Sequence, residues 1–260
     1  MFNIRYRPAW VAFVLVGAVM PAQSGSSMRA ELHVWAGASA NGGAGLRSVE
    51  ASAWLEDDLR IWAVYDDSLN IDDPSLQRQG EQTQGYFAGV MHQFHANWQG
   101  VLEVGYRHQP GGNHQNIFSA EILHVADDDV TRLGVQINPH SAGFADEIVV
   151  ASHRMRVAPG WWVEPTAIYG RLGRFEDDEW RGILRIEHRG TGWGVNAGIG
   201  GGAIRSDFRD DSGGVFVTDA RLSLDVEADS EVHLAVRHEE LPRFENTLVM
   251  VGLTVRFSSD

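Results

Sequence analysis

The stretch that decides the fold runs from Gly85 to Asp129: GYFAGVMHQFHANWQGVLEVGYRHQPGGNHQNIFSAEILHVADDD. It contains three segments in which apolar and polar residues alternate, 85–93, 98–107 and 116–124. Period-2 alternation is the mark of strands with two unlike faces. The connections differ in kind. His95-Ala96-Asn97 is tight, the segment 108–115 with Pro110-Gly111-Gly112 is longer, and Asp127-Asp128-Asp129 is tight again.

Outward from this stretch the same units repeat. Further strands are expected at 31–38, 47–55, 59–66, 131–137, 147–154, 161–170, 180–189, 193–203, 215–225, 231–238 and 246–257, which makes fourteen in all. Tight connections also stand at Glu56-Asp57-Asp58, Ala158-Pro159-Gly160, Gly190-Thr191-Gly192 and Ala228-Asp229. Longer ones surround 39–46, 67–84, 138–146, 171–179, 204–214 and 239–245. Long and short alternate along the chain. A soluble sandwich has no reason to do this. A barrel in the outer membrane does, because its periplasmic turns are short and its extracellular loops longer. The expected fold is therefore all-β, a transmembrane antiparallel up-and-down β-barrel of fourteen strands, with twelve as the alternative. Both ends of the barrel chain then face the periplasm.

The N-terminal segment MFNIRYRPAWVAFVLVGAVMPAQSGSS carries Arg5 and Arg7 before an apolar run, Ala9 to Met20, followed by small and polar residues. That is the form of a secretory signal peptide, too short to cross a bilayer as a helix. Two segments are expected: 1–24 as signal peptide and 25–260 as barrel.

Composition agrees with export. The 260 residues include 35 acidic and 21 basic ones, with a net charge of -14. Every basic residue is Arg. Nucleic acid is excluded as a partner, since it needs a basic face. With no Cys there is no disulfide framework, Cys-ligated zinc or Cys nucleophile. No cofactor or metal is expected. A mean hydropathy of -0.21 looks soluble, yet strands with one lipid face and one lumen face average to such a value.

Aromatic residues cluster at strand ends, as interfacial girdles require. Trp54, Phe94, Trp98, Trp161, Trp193 and Phe257 stand near tight turns. Tyr65, Tyr86, Tyr106, Phe118, Tyr169, Trp180 and Phe216 stand near longer loops. Parity then assigns faces. Trp98, Leu102, Val104 and Tyr106 point outward, as do Leu184, Ile186, Leu222, Leu224, Val249, Val251 and Leu253. Strands 47–55 and 147–154 are less clean. With Trp54 outward Glu50 would meet lipid, so Trp54 is expected inward.

The last strand, Met250-Val251-Gly252-Leu253-Thr254-Val255-Arg256-Phe257, resembles the C-terminal assembly signal of bacterial outer-membrane barrels. Gly252, Val255 and Phe257 match it, and Ser258-Ser259-Asp260 extend beyond it. In architecture the chain is also similar to small orphan barrels of the YaiO type. That resemblance implies Gram-negative bacteria, and some such barrels are associated with exopolysaccharide export. The implied partners are outer-membrane lipids, lipopolysaccharide and the barrel assembly machinery.

Inward parity collects the lumen-lining candidates: Glu103, Arg107, Glu121, Arg132, Glu164, Arg181, Arg185, Glu187, Arg189, Asp219, Arg221, Asp225, His233, Arg237 and Arg256. Both signs are similarly represented, which argues against strong ion selectivity. They read either as a porin-like channel or as a filled lumen. Trp35, Trp62 and Trp162 share the inward parity and could stack on sugar rings or pack against the wall. Gly198, Gly200 and Gly202 leave a stripe without side chains.

The expected function is passage of a polar or saccharide solute. The alternative is a closed structural or adhesive barrel. A lipid hydrolase is the weakest reading. The segment His108-Gln109-Pro110-Gly111-Gly112-Asn113-His114-Gln115 is similar to the His-x-Ser segment of outer-membrane phospholipase A. Pro110, however, stands where the nucleophile is needed. His140-Ser141 is a second candidate pair. The protein is expected not to be an enzyme. The acidic loop groups, Asp66, Asp67, Asp72 and Asp73, Glu176, Asp177, Asp178 and Glu179, and Asp207, Asp210 and Asp211, read as a solvated surface that could hold divalent cations.

Overall fold

A computed structural model describes residues 29–40, 44–66, 84–108, 114–173, 177–206, 212–242 and 244–258. The signal peptide reading, the centre of the 108–115 segment and most of the acidic loop groups lie outside these residues. The described chain forms fourteen antiparallel strands: β1 (Arg29–Ser39), β2 (Ala44–Glu56), β3 (Leu59–Asp66), β4 (Gln84–His95), β5 (Trp98–His108), β6 (His114–Ala126), β7 (Asp129–Pro139), β8 (Ala145–Ala158), β9 (Trp161–Leu172), β10 (Asp177–Gly190), β11 (Trp193–Arg205), β12 (Gly213–Glu227), β13 (Ser230–Leu241) and β14 (Phe244–Ser258). Each strand pairs with its sequence neighbours, and β1 pairs with β14 over the register Arg29↔Ser258 to Ser39↔Leu248. The sheet closes on itself and leaves no edge to pair elsewhere. The count is fourteen, and the twelve-strand alternative falls.

The strands outrun the sequence reading on the loop side. β8 begins at Ala145 and β10 at Asp177, and β13 continues to Leu241. Beyond the apolar band the alternation fades from sequence, but backbone ladder pairing continues. The longer connections shrink accordingly. β13 and β14 are joined by residues 242–243, as short as the turns of the opposite side. On that side, Gly160 and Gly192 adopt φ of 75° and 77°, values suited to two-residue hairpins.

The outward side chains form a broad apolar exterior. Leu102, Val104, Leu133, Val135, Leu184, Ile186, Leu234, Val251 and Leu253 are all exposed. In water such a surface would aggregate. Against hydrocarbon it is the stable choice. Phe94, Trp98, Trp161, Trp193 and Phe257 mark one rim of it, and Tyr106, Phe118, Tyr169, Trp180 and Phe216 the other.

Trp54 turns inward, facing Arg60 at 4.9 Å, and Glu50 pairs with the same Arg60 at 2.9 Å. Register shifts between Trp35 and Ala36 and between Trp54 and Glu56 explain why β2 reads poorly in sequence. β8 reads poorly for another reason. Its inward residue Ile148 is as apolar as its outward neighbour Val149, the first buried and the second 42% exposed.

Candidate functional site

The interior divides into two levels. The loop-side level is packed. Ile148, Ile168, Ile183, Ile204, Val215, Val217 and Leu241 form one buried apolar cluster, contributed by inward positions of β8 to β13. Leu248, Met250 and Ala235 form a second, against Trp35. Buried ionic groups interrupt this layer. Arg181 contacts Glu179 and donates to Glu239 at 2.9 Å, although Glu239 lies three strands away on β13. Its register partner on β11 is Gly202.

A second buried group ties the loops together. Arg107 donates to Gln115 at 2.9 Å. Gln115 and His140 each reach the same Asp146 carboxylate, at 2.9 and 2.8 Å, and Gly173 N donates to its other oxygen at 3.1 Å. The His140 ring stacks on Phe144 at 4.2 Å. Ser141 Oγ accepts from His114 N at 3.2 Å. His140 and Ser141 are thus structural clamps, each already committed to neighbours.

The turn-side level is open. A cavity of about 950 Å³ is lined by both wall charges and aromatic groups. Of the candidates read from sequence, it brings together Trp35, Arg132, Glu164, Arg185, Glu187, Arg189, Asp219, Arg221, Asp225, Arg237 and Arg256, and adds Glu31, His33, Asn196 and Glu231. Six Arg and six carboxylates line it, so the field has no dominant sign.

Most charges are locally matched. Arg132 pairs with Glu121 at 2.5 Å, Arg154 and Arg189 with Glu187 at 3.0 and 2.9 Å, and Arg256 with Glu231 at 2.7 Å and Glu31 at 3.4 Å. Glu103, outside the cavity, accepts from Trp62 Nε1 at 2.8 Å. Arg107 and Arg181 belong to the packed layer instead.

Each inward Trp is covered by a guanidinium. Arg60 lies 5.6 Å from Trp62, Arg154 lies 4.6 Å from Trp162, and Arg221 lies 5.3 Å from Trp35. Such cation–π pairing takes up ring surface that a sugar would need. Glycines let the rings lie flat. A Cβ on Gly252 would sit 2.7 Å from the Trp35 ring, and one on Gly89 would strike Trp62. The sequence-read Gly198 faces the Asp219 carboxylate in the same way.

A hydrogen-bond chain crosses the seam where β1 meets β14. A guanidinium only donates, so His233 Nδ1 accepts from Arg221 at 3.2 Å. His233 Nε2–H then donates to Thr254 Oγ1 at 2.6 Å, Thr254 donates to His33 Nδ1 at 2.8 Å, and His33 Nε2–H reaches Glu31 at 3.3 Å. One donor direction thereby fixes both imidazole tautomers. Of this chain, sequence parity places Arg221, His233 and Thr254 inward and misses His33 and Glu31. His33 shares the parity of Trp35, two residues away, and could have been found by it.

Solved structures share this architecture. A bacterial polysaccharide outer membrane secretin matches with a TM-score of 0.55 and 12% identity, over 90% of this chain and 98% of that chain. OmpT, an outer membrane protein of Vibrio cholerae, matches with a TM-score of 0.57 and 7% identity, over 91% and 99%. The NanC porin matches with a TM-score of 0.51 and 10% identity, over 86% and 98%. At these identities the likeness is one of fold. No protein-family model and no curated protein sequence matches the chain.

Proposed function

We propose that this chain is a bacterial outer-membrane barrel that passes a polar or saccharide solute, as a porin-like channel or an export conduit. The observation that supports this reading is the charged vestibule of about 950 Å³ inside a barrel whose outer face is apolar. A wall of matched charges offers hydrogen bonds to a polar solute without trapping an ion of either sign. The apolar exterior suits outer-membrane lipids, with lipopolysaccharide at the loop rim. Gly252, Val255 and Phe257 fit recognition by the barrel assembly machinery. A polysaccharide secretin among the structural neighbours is consistent with the export side of the reading. So is the likeness to YaiO-type barrels.

The packed loop-side level favours a second reading, a closed structural barrel. Planar bilayers separate the two. Reconstituted protein should give discrete single-channel currents. A current indistinguishable from the lipid background would sink the channel and leave the closed barrel. No catalytic role is proposed, since His140 and Ser141 are engaged in loop clamping. Fatty-acid release from phospholipid that disappears with His140→Ala would reverse that view.

A further inference from the structure

We infer that Arg221, lying across Trp35 in the vestibule, is a binding subsite for the carboxylate of an acidic saccharide. The inference rests on reading the vestibule as a solute path.

Its basis is an imbalance in the charge pairing. Arg132, Arg189 and Arg256 each have a carboxylate within ion-pair distance. Arg221 has none among the described residues. Its one polar contact there is a donor bond to His233 Nδ1, and its Cζ sits 5.3 Å from the Trp35 ring. A guanidinium carries five N–H donors in a planar fork, and the arrangement that best satisfies them is a bidentate carboxylate. Here one donor is used and the remainder of the fork belongs to a residue lining the cavity. The His233–Thr254–His33–Glu31 chain behind it holds the fork in one orientation. The ligand therefore does not have to order the side chain on arrival.

The surroundings argue for a hydroxylated acid rather than a bare inorganic anion. Glu164 lines the same cavity, also with no polar partner among the described residues. A carboxylate only accepts, so Glu164 repels a small anion and attracts hydroxyl groups. A sugar acid presents a carboxylate for Arg221 and hydroxyls for the carboxylates that line the same cavity, Glu164 among them. The cavity volume lies within the usual range for small-molecule sites.

The test is calorimetric titration of the folded, detergent-solubilised full chain with sodium D-glucuronate, D-glucose and sodium sulfate. Glucuronate should bind saturably, and glucose roughly tenfold more weakly, as expected when a charge-assisted hydrogen bond is lost. Arg221→Gln should weaken glucuronate by about the same factor without altering glucose, and Arg221→Lys should fall between. Each variant is first checked for the gel-mobility shift of a folded barrel. Glucuronate affinity unchanged in Arg221→Gln overturns the inference. So does sulfate that displaces glucuronate at equal concentration, which would mark a site for free anions. Single-channel recording keeps the two readings apart. Currents without glucuronate binding defeat the subsite alone, whereas glucuronate binding without currents defeats the channel.

Discussion

At the scale of single residues, the interior is governed by whether each polar group has a partner. Thr254 is fully buried and serves two imidazoles at once, donating to His33 and accepting from His233. Thr254→Val keeps the shape but leaves two ring nitrogens unsatisfied. The expected loss is about 1–3 kcal/mol, read from the denaturant midpoint of the refolded protein. Arg181 is a harsher case. Arg181→Met would strand Glu179 and Glu239 together in a dry layer and should cost about 3–5 kcal/mol by the same measurement. These assignments explain what the sequence disclosed and what it hid. Inward charge was legible by parity, because a charge on the lipid face is costly. Inward apolar residues such as Ile183 and Val217 were not, because they obey no rule that separates them from the lipid set. The partner of each charge was also hidden. Arg181 reaches Glu239 across 58 positions of chain, a distance that no local pattern encodes.

At the scale of strands, the seam between β1 and β14 is bridged by side chains along its length. Ser39 donates to Asn246 at 2.6 Å, His33 meets Thr254, Trp35 covers Gly252, and Arg256 reaches Glu31. Gly252 is therefore more than a match to an assembly signal, since its missing side chain is the space that Trp35 occupies. Gly252→Ala should displace the indole and destabilise the barrel by about 1–3 kcal/mol, as overpacking does. Trp35→Ala in the same chain should recover part of that loss. Strictly additive effects in the double variant, measured by refolding yield and denaturant midpoint, would disprove the steric account. The strands themselves were legible because lipid enforces period-2 patterning. Their ends were not. β8 and β12 begin two residues earlier than their alternation, where backbone pairing no longer needs an apolar face.

At the scale of the whole molecule, the two interior levels divide the work. For the proposed channel, the apolar layer, with Ile183 and Val217 in one cluster and Leu248 in another, is assigned the narrow part of the path and the charged cavity the wide part. Shortening the first set should change how much current passes, and neutralising the second should change which solutes pass. Val217→Ala with Leu248→Ala is expected to raise single-channel conductance while leaving the cation-to-anion permeability ratio unaltered. A change in reversal potential without a change in conductance would reverse that division. The fold was legible at this scale from the rhythm of its connections, although that rhythm was only partly real. Only two positions separate the end of β13 at Leu241 from the start of β14 at Phe244. Asymmetry between the two levels left no trace in composition.

Arg29 faces Ser258 across the seam, so the strand circle has no intrinsic beginning. A short linker between these ends, with the chain cut at Thr191-Gly192, would yield a circular permutant. The same fourteen neighbours would meet, but Gly252 to Phe257 would lie in the middle of the polypeptide. Such a permutant should refold in detergent as readily as the parent and fail to reach the membrane in cells. It would thereby separate the information that specifies a ring from the information that delivers one.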